Sequence, residues 1–407
     1  MGLLRRNRAY RRLYVAGAVD GFGSWLLVFA APLHVYAVTG SAMSTGLALA
    51  VQAVPALLVA PWAGVAVDRW PRVRIIVLAN LASAAGVALM LSPDLIFVGL
   101  FVEAAAGCFL RPALRALTPT VVPDPADLAT ANALTTFTDS AYRMIGPPLG
   151  TALVAAGWFP AVVAADALSY VVAAALVVGL PGGRSAGARV LIRDGVRALA
   201  RTPVLRGLAV ASSLYWTANA ALTVLLIPFA VDRLGGSGQV VGWLIAALGL
   251  GYLTGSALAR PLILRYATRT VVSLGYALVG VCFLVAFTAG SVPRALVAVG
   301  LSGVPGAVCQ IAVGHRIQVS TPDAVLGRVA AGFHLTDALA AVTGALLAPL
   351  LLGMAGLPLA LVLLSLTVVA VGLLAMALLP AGAVSWPWRH DVDPGDEHTA
   401  RAGNAVR

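Results

Sequence analysis

The sequence predicts an all-α integral membrane protein of twelve transmembrane helices, arranged as two pseudo-symmetric six-helix bundles with both termini on the cytoplasmic side. Three observations lead there. Hydrophobic residues make up 60% of the 407 and charged residues only 11%, with mean hydropathy +0.94, which is too little charge to cover a soluble domain of this length. The apolar residues fall into runs of roughly 20, the length that crosses a hydrocarbon core as a helix. The basic residues, all of them Arg, sit in short clusters between those runs.

The runs cover approximately 13–36, 44–66, 74–92, 95–113, 132–155, 161–180, 205–230, 240–259, 271–289, 294–313, 329–352 and 357–379. A lone apolar run in lipid satisfies its backbone only as a helix, and the alternating pattern of a membrane barrel is absent. With the N-terminus inside, 24 of the 27 Arg fall in cytoplasmic segments. Arg233 and Arg294 lie outside and Arg143 lies within a span. That asymmetry predicts N-in, C-in insertion in the cell membrane. The Arg-rich start (Arg5, Arg6, Arg8, Arg11, Arg12) runs into an apolar segment too long for a signal peptide and reads as an uncleaved first span.

The organisation follows as a first bundle over 1–183, a cytoplasmic linker over 184–203, a second bundle over 204–380 and a disordered cytoplasmic tail over 381–407. Val190 to Arg201 alternates apolar and basic residues at near-helical spacing, suited to an amphipathic helix on the anionic inner leaflet. Thr138-Asp139, Gly146 and Pro160 recur as Thr336-Asp337, Gly344 and Pro358 at a constant offset, the mark of two parallel repeats with a substrate site between them. The net charge of +11 forms no single patch, so nucleic acid is not an expected partner. Cys108, Cys282 and Cys309 lie far apart inside apolar runs and match no metal or redox spacing.

Between the second and third runs stands Gly64-Val-Ala-Val-Asp68-Arg69-Trp-Pro-Arg72-Val-Arg74. It resembles the signature loop of the major facilitator superfamily. Further stretches resemble the drug:proton antiporter branch of that family, which includes enterobactin- and macrolide-exporter-like proteins. They are Gln52-Ala-Val-Pro55, Arg111-Pro-Ala-Leu-Arg115, Arg143-Met-Ile-Gly146-Pro147, Asp166-Ala-Leu-Ser169-Tyr170 and Pro322 to Arg328. Pro71 stands where the signature has Gly, and Glu103 stands where many antiporters carry Arg. The resemblance implies the major facilitator fold and alternating access in a functional monomer. It implies export of small hydrophobic or amphiphilic molecules in exchange for protons. A facilitator-type uptake carrier or uniporter, and less readily a membrane sensor, are the alternatives. No nucleophile–His–acid set, metal spacing or phosphate-binding Gly-Lys motif points to an enzyme or an ATP site, so transport is expected to run on an ion or substrate gradient; the resemblance implies a proton gradient, with no cofactor.

Each ionisable group at membrane depth costs roughly 2.5–3.5 kcal/mol on insertion scales and asks for a reason. The candidates for proton coupling are Asp20, Glu103, Asp139, Arg143 and Asp337. Asp20 lies on the first span, which in the family lines the central cavity, with Ser24 and His34 on roughly the same face; a structural cap is the competing reading. Glu103 faces that cavity if the family geometry holds. Asp139 and Arg143 are four apart and close enough to pair, either statically or as a switch. Asp337, one turn from His334, serves a relay or touches the inner loop. Ser212, Trp216, Asn219 and Thr223 form one polar-aromatic stripe suited to a substrate cavity or to helix packing. Gly300, Gly303, Ala307 and Gln310 make a small-residue face suited to packing or hinging, with Gln310 carried as a cavity candidate. Gly64, Asp68, Arg69 and Arg74 are expected to act as a weak cytoplasmic gate against the region from Gly255 to Arg269.

Overall fold

The computed structural model describes residues 2–182, 201–236, 238–321 and 323–380, and these contain helices and turns but no strand. Nine helices among the described residues are long and apolar enough to cross a membrane. The expected linker helix falls almost wholly outside the described residues, and the expected disordered tail wholly so.

In chain order the helices are α1 (Gly2–Arg6), α2 (Arg8–Thr39), α3 (Ala42–Leu58), α4 (Ala60–Arg69), α5 (Arg72–Leu89), α6 (Ile96–Val121), α7 (Pro125–Ala155) and α8 (Phe159–Val177). After the linker come α9 (Pro203–Pro228), α10 (Gly238–Arg265), α11 (Thr268–Thr288), α12 (Val292–Val319) and α13 (Asp323–Leu378). Several run past the apolar segments that predict them: α6 continues to Val121 and α7 begins at Pro125. Apolar length measures the hydrocarbon thickness, whereas the i→i−4 ladder continues into the interface for as long as no residue breaks it.

The second predicted span is two helices, broken at Val59, where Pro61 at the start of α4 removes a backbone donor. At the other extreme, α13 holds the last two predicted spans, separated at Gly356, whose φ of 73° and ψ of 164° suit glycine alone. Helix ends are closed by specific groups. Asn7 accepts from the Tyr10 amide at 2.9 Å and donates its Nδ2 to the Val121 carbonyl at 2.9 Å, so one side chain caps α2 and closes α6. The Arg12 guanidinium donates to the carbonyls of Leu176 and Val178 at the end of α8. Arg72 donates to the Ala116 carbonyl and to Thr120 Oγ1 near the end of α6. Cations at helix C-termini also meet the negative end of the macrodipole.

Packing divides the chain by sequence. In the first part α2 packs on α7 and α8, and α5 on α6 and α8. In the second, α9 packs on α13, α10 on α12, and α11 on both α12 and α13. Among the described residues α3 crosses to α13 and, over a smaller area, to α9, and α7 crosses to α10. In lipid no hydrophobic drive brings helices together, so close contact depends on small residues. At Gly251 a Cβ would overlap the carbonyl oxygen of Gly300, whereas at Gly17 nothing lies within 4 Å. Gly251→Ala should therefore lower the unfolding temperature in detergent through an overpacking cost of about 1–3 kcal/mol. Gly17→Ala should leave it unchanged or slightly raised. Equal behaviour of the two variants in a thermal-unfolding assay would show that the α10–α12 approach does not control stability.

Candidate functional site

A polar cluster sits where α2, α6 and α8 meet. Glycine at position 23 brings α8 close, because a Cβ there would overlap the Asp166 carboxylate. The Tyr170 hydroxyl on α8 donates to Glu103 Oε1 on α6 at 3.0 Å. The same hydroxyl lies 2.8 Å from Ser24 Oγ on α2, and Ser24 Oγ lies 2.9 Å from the Asp20 carbonyl. Ser169 donates to the Asp166 carbonyl at 2.8 Å and sits 3.2 Å from its Oδ1. Asp20 and Asp166 are both buried, and the Asp166 Oδ2 atom is enclosed with no hydrogen-bond partner. Asp20, Glu103 and Asp166 act electrostatically on Tyr170, and Arg111 acts on both Asp20 and Glu103.

Two features of this cluster carry chemistry. Among the described residues the cluster gathers three carboxyls and the exposed Arg111 acts on two of them, Asp20 and Glu103, so neutrality of the cluster needs further positive charge, from protons or from a cationic ligand. The chain of contacts also counts hydrogens. Asp20 C=O, Ser24, Tyr170 and Glu103 make three contacts in series, and the two hydroxyls supply two hydrogens. With Glu103 as the acid, each contact holds one hydrogen; with Glu103 as the carboxylate, one contact has none.

The cluster opens onto a cavity of about 310 Å³. Glu103, Asp166, Arg111, Ser24 and Gln52 supply its polar groups, and its walls include Leu27, Met90 and Leu100. A mainly apolar cavity with a few convergent polar groups is the usual form of a small-molecule site.

The other predicted residues are distributed as follows. Asp139 is exposed on α7, and Trp25 Nε1 donates to its Oδ1 at 3.3 Å, a contact from across the helix pair. The side chains of Arg143 and Asp68 lie outside the described residues. His34 does not join Ser24; it stacks on Phe159 with ring centroids 3.7 Å apart. In the second part of the chain Ser212 is 3.5 Å from Asp337 Oδ1, while Tyr215 stacks on Tyr276 at 4.5 Å. Trp216, Asn219 and Thr223 are half-buried, and Thr223 donates back to the Asn219 carbonyl. Gln310 is exposed on α12. Gly64 and Asp68 lie within α4, which packs on α3 and α6, and Arg69 and Arg74 are exposed. Asp166 and Tyr170 are members of the cluster that the sequence did not single out as candidates. Asp166 is ionisable in the middle of an apolar run, and the rule that singles out Asp20 applies equally to it.

Among the described residues, the two parts of the chain are joined by specific contacts toward one end of the bundle. Tyr36 at the end of α2 donates to Asp232 Oδ2, beyond α9, at 2.5 Å. Gly238, at the start of α10, lies against Leu33 and Ala155, and Gly242 against Pro148 and Thr151. Gly46, near the start of α3, faces the Ala345 carbonyl of α13. These contacts lie at the end of the bundle opposite the Arg-rich turns.

The fold and cavity define a membrane transporter rather than an enzyme. Residues 13–235 match the family model of the Major Facilitator Superfamily, and the chain belongs to that family. It is 29% identical over 395 residues to the multidrug efflux pump Tap of Mycolicibacterium fortuitum, covering 89% of this chain and 94% of that protein. It is 26% identical over 346 residues to the enterobactin exporter EntS of Escherichia coli O1:K1, covering 81% and 82%. The fold is shared with a bacterial homolog of the human lysosomal transporter Spinster, with TM-score 0.70 and 15% identity over 92% of this chain and 96% of that one.

The Tyr36–Asp232 bond yields a prediction. A hydrogen bond to a charged acceptor is worth about 1.5–3 kcal/mol. Tyr36→Phe should therefore shift the balance toward opening at that end by about tenfold or more. A Thr151→Cys reporter, at a buried position against Gly242, in a background lacking Cys108, Cys282 and Cys309, should then react correspondingly faster with a hydrophilic maleimide. Unchanged labelling would rule out a latch at this bond.

Proposed function

We propose that this chain is a secondary active transporter that exports small hydrophobic or amphiphilic molecules across the plasma membrane in exchange for protons, by alternating access. In this reading twelve helices cross the membrane as two six-helix bundles. Residues 1–183 form the first bundle and 204–380 the second. Both termini are cytoplasmic, and the chain works as a monomer without a cofactor. The broken pair α3/α4 supplies one crossing, α7 another, and α13 supplies two around Gly356. With the Arg-rich turns inside, the sealed end faces outward and the structure is the inward-open state.

The observation that carries the proton coupling is the series Glu103–Tyr170–Ser24. Its hydrogen count changes with the protonation of Glu103, and it lies against the cavity where a ligand would sit. Arrival of a proton completes the series; arrival of a cationic or polar ligand beside Glu103 and Asp166 competes with it. Either neutralises the excess of carboxyls, which is how one site exchanges two cargoes. Relatives whose names record multidrug efflux and siderophore export support the outward direction and the breadth of substrate. Asp139 with Arg143, and Asp337 with Ser212, are secondary coupling candidates. Trp216, Asn219, Thr223 and Gln310 are secondary cavity candidates. Gly64, Asp68, Arg69 and Arg74 are proposed to latch the inner ends when the carrier faces outward.

Inverted membrane vesicles provide the test. A panel of cationic, neutral and zwitterionic compounds should include members that collapse a preformed pH gradient with the wild-type chain. Glu103→Gln and Asp20→Asn, inserted at wild-type levels, should abolish that collapse, and Tyr170→Phe should reduce it about tenfold or more. Collapse that persists in Glu103→Gln would remove Glu103 from the coupling. Substrate counterflow without any pH response in the wild type would make the protein a uniporter.

A further inference from the structure

A second cavity, of about 270 Å³, lies at the Arg-rich end of the second part of the chain, where α10 and α12 finish and α9 and α11 begin. Its polar lining includes Arg269, Arg316 and His315, no carboxyl lines it among the described residues, and Ile263, Val319 and Leu379 form an apolar wall. Three features point to an anion. Arg269 Nε is enclosed and has no hydrogen-bond partner. The first turn of α11 holds no acidic residue, and its N-cap, Ala267, has no side chain able to accept the free amides there. Arg316 stands in the last turn of α12, so a second guanidinium reaches the same space from another helix.

Arg72 shares the enclosed, unpartnered Nε and the acid-free first turn without a side-chain cap, and differs in the rest of its guanidinium. It occupies the corresponding place at the start of α5, and its Nη1 is committed to the Ala116 carbonyl and Thr120 Oγ1. Around Arg269 the chain offers donors with no matching acceptor. A buried donor left without a partner costs about 1–3 kcal/mol, and more when it is charged, which favours an acceptor that binds.

We propose that this cavity is a phosphate-binding site, separate from the transport cavity. Two guanidiniums and the amide end of a helix match the three-sided acceptor geometry of a phosphate group, which guanidiniums meet with paired donors. The flanking apolar wall suits the glycerol and first acyl carbons of an anionic phospholipid. The phosphate can come from that lipid or from solution, and the two sources are separable.

The test uses the purified full-length chain, with phosphatidylglycerol and inorganic phosphate as probes. Native mass spectrometry should show retained phosphatidylglycerol, or millimolar inorganic phosphate should raise the unfolding temperature. The first result assigns a lipid headgroup and the second a soluble phosphate, and either supports the site. Arg269→Gln and Arg316→Gln should each weaken the effective probe at least tenfold, and Arg269→Lys less than Arg269→Gln. Arg233→Gln, at the opposite end, should have no effect. Matching ligand-free unfolding temperatures in the variants would establish that they are folded; where Arg269→Gln is not, Arg316→Gln and Arg269→Lys still decide. Equal binding by wild type and Arg316→Gln, or no binding of either probe, would overturn the proposal. So would binding that appears only when the tail acids Asp391, Asp393, Asp396 and Glu397 are neutralised together, since the chain's own tail would then be the occupant.

Discussion

The contact on which the site depends is the approach of Asp166 to the backbone of α2 at Gly23. Any side chain at position 23 would push α8 away, since even a Cβ would collide with the Asp166 carboxylate. That approach brings Tyr170, one turn further along α8, between Ser24 and Glu103. The glycine supplies no chemistry of its own. It sets a helix separation at which three helices share one hydrogen-bonded series beside the cavity. The same logic recurs at Gly251 against Gly300 and at Gly372 against Ala277, but there the close approach serves packing alone. Of these three approaches, the one at Gly23 is made to a carboxylate.

The second part of the chain has a sparser counterpart. Ser212 and Asp337 form a long contact, and the stacked Tyr215 and Tyr276 fill the space beside it with aromatic bulk. The repeat detected in sequence therefore repeats a scaffold and not a function. Three carboxyls gather in the first part, while the second presents one carboxyl against aromatic surface. A carrier built this way can keep its charge exchange on one side of the cavity and use the other as a wall that moves.

Much of this was legible before any coordinates. Apolar runs locate the helices, because hydrocarbon thickness acts on composition directly, and the cost of burying charge picks out Asp20 and Glu103. Tertiary contact was not legible. His34 was expected beside Ser24 from helical periodicity, but ten residues of rise carry it about 15 Å along α2, where it meets Phe159 instead. Asp139 was read against Arg143, whose side chain lies outside the described residues, and the contact from Trp25 of α2 was not foreseen. Asp166 and Tyr170 appeared only as part of a family resemblance, since nothing within α8 reveals that its polar face meets Gly23. Spacing along one helix fixes which residues share a face; it does not say what that face will touch.

The arginines complete the argument, because they do two kinds of work at the same end of the molecule. Arg12 and Arg72 close the ends of α8 and α6, which fastens the first bundle to itself. In the second bundle Arg269 is not spent in this way. Bonds that fasten a bundle internally leave it free to rock as a unit, whereas bonds between bundles hold one state. The bonds between the two parts, Tyr36 to Asp232 among them, lie at the opposite end. In the proposed cycle, a change to the outward-open state would break those contacts and replace them at the Arg-rich end. The exposed Arg69 and Arg74 are available there, and surface ion pairs worth about 0–1 kcal/mol each can form and break in every cycle. The weakness of such pairs is what allows one end to close without trapping the carrier.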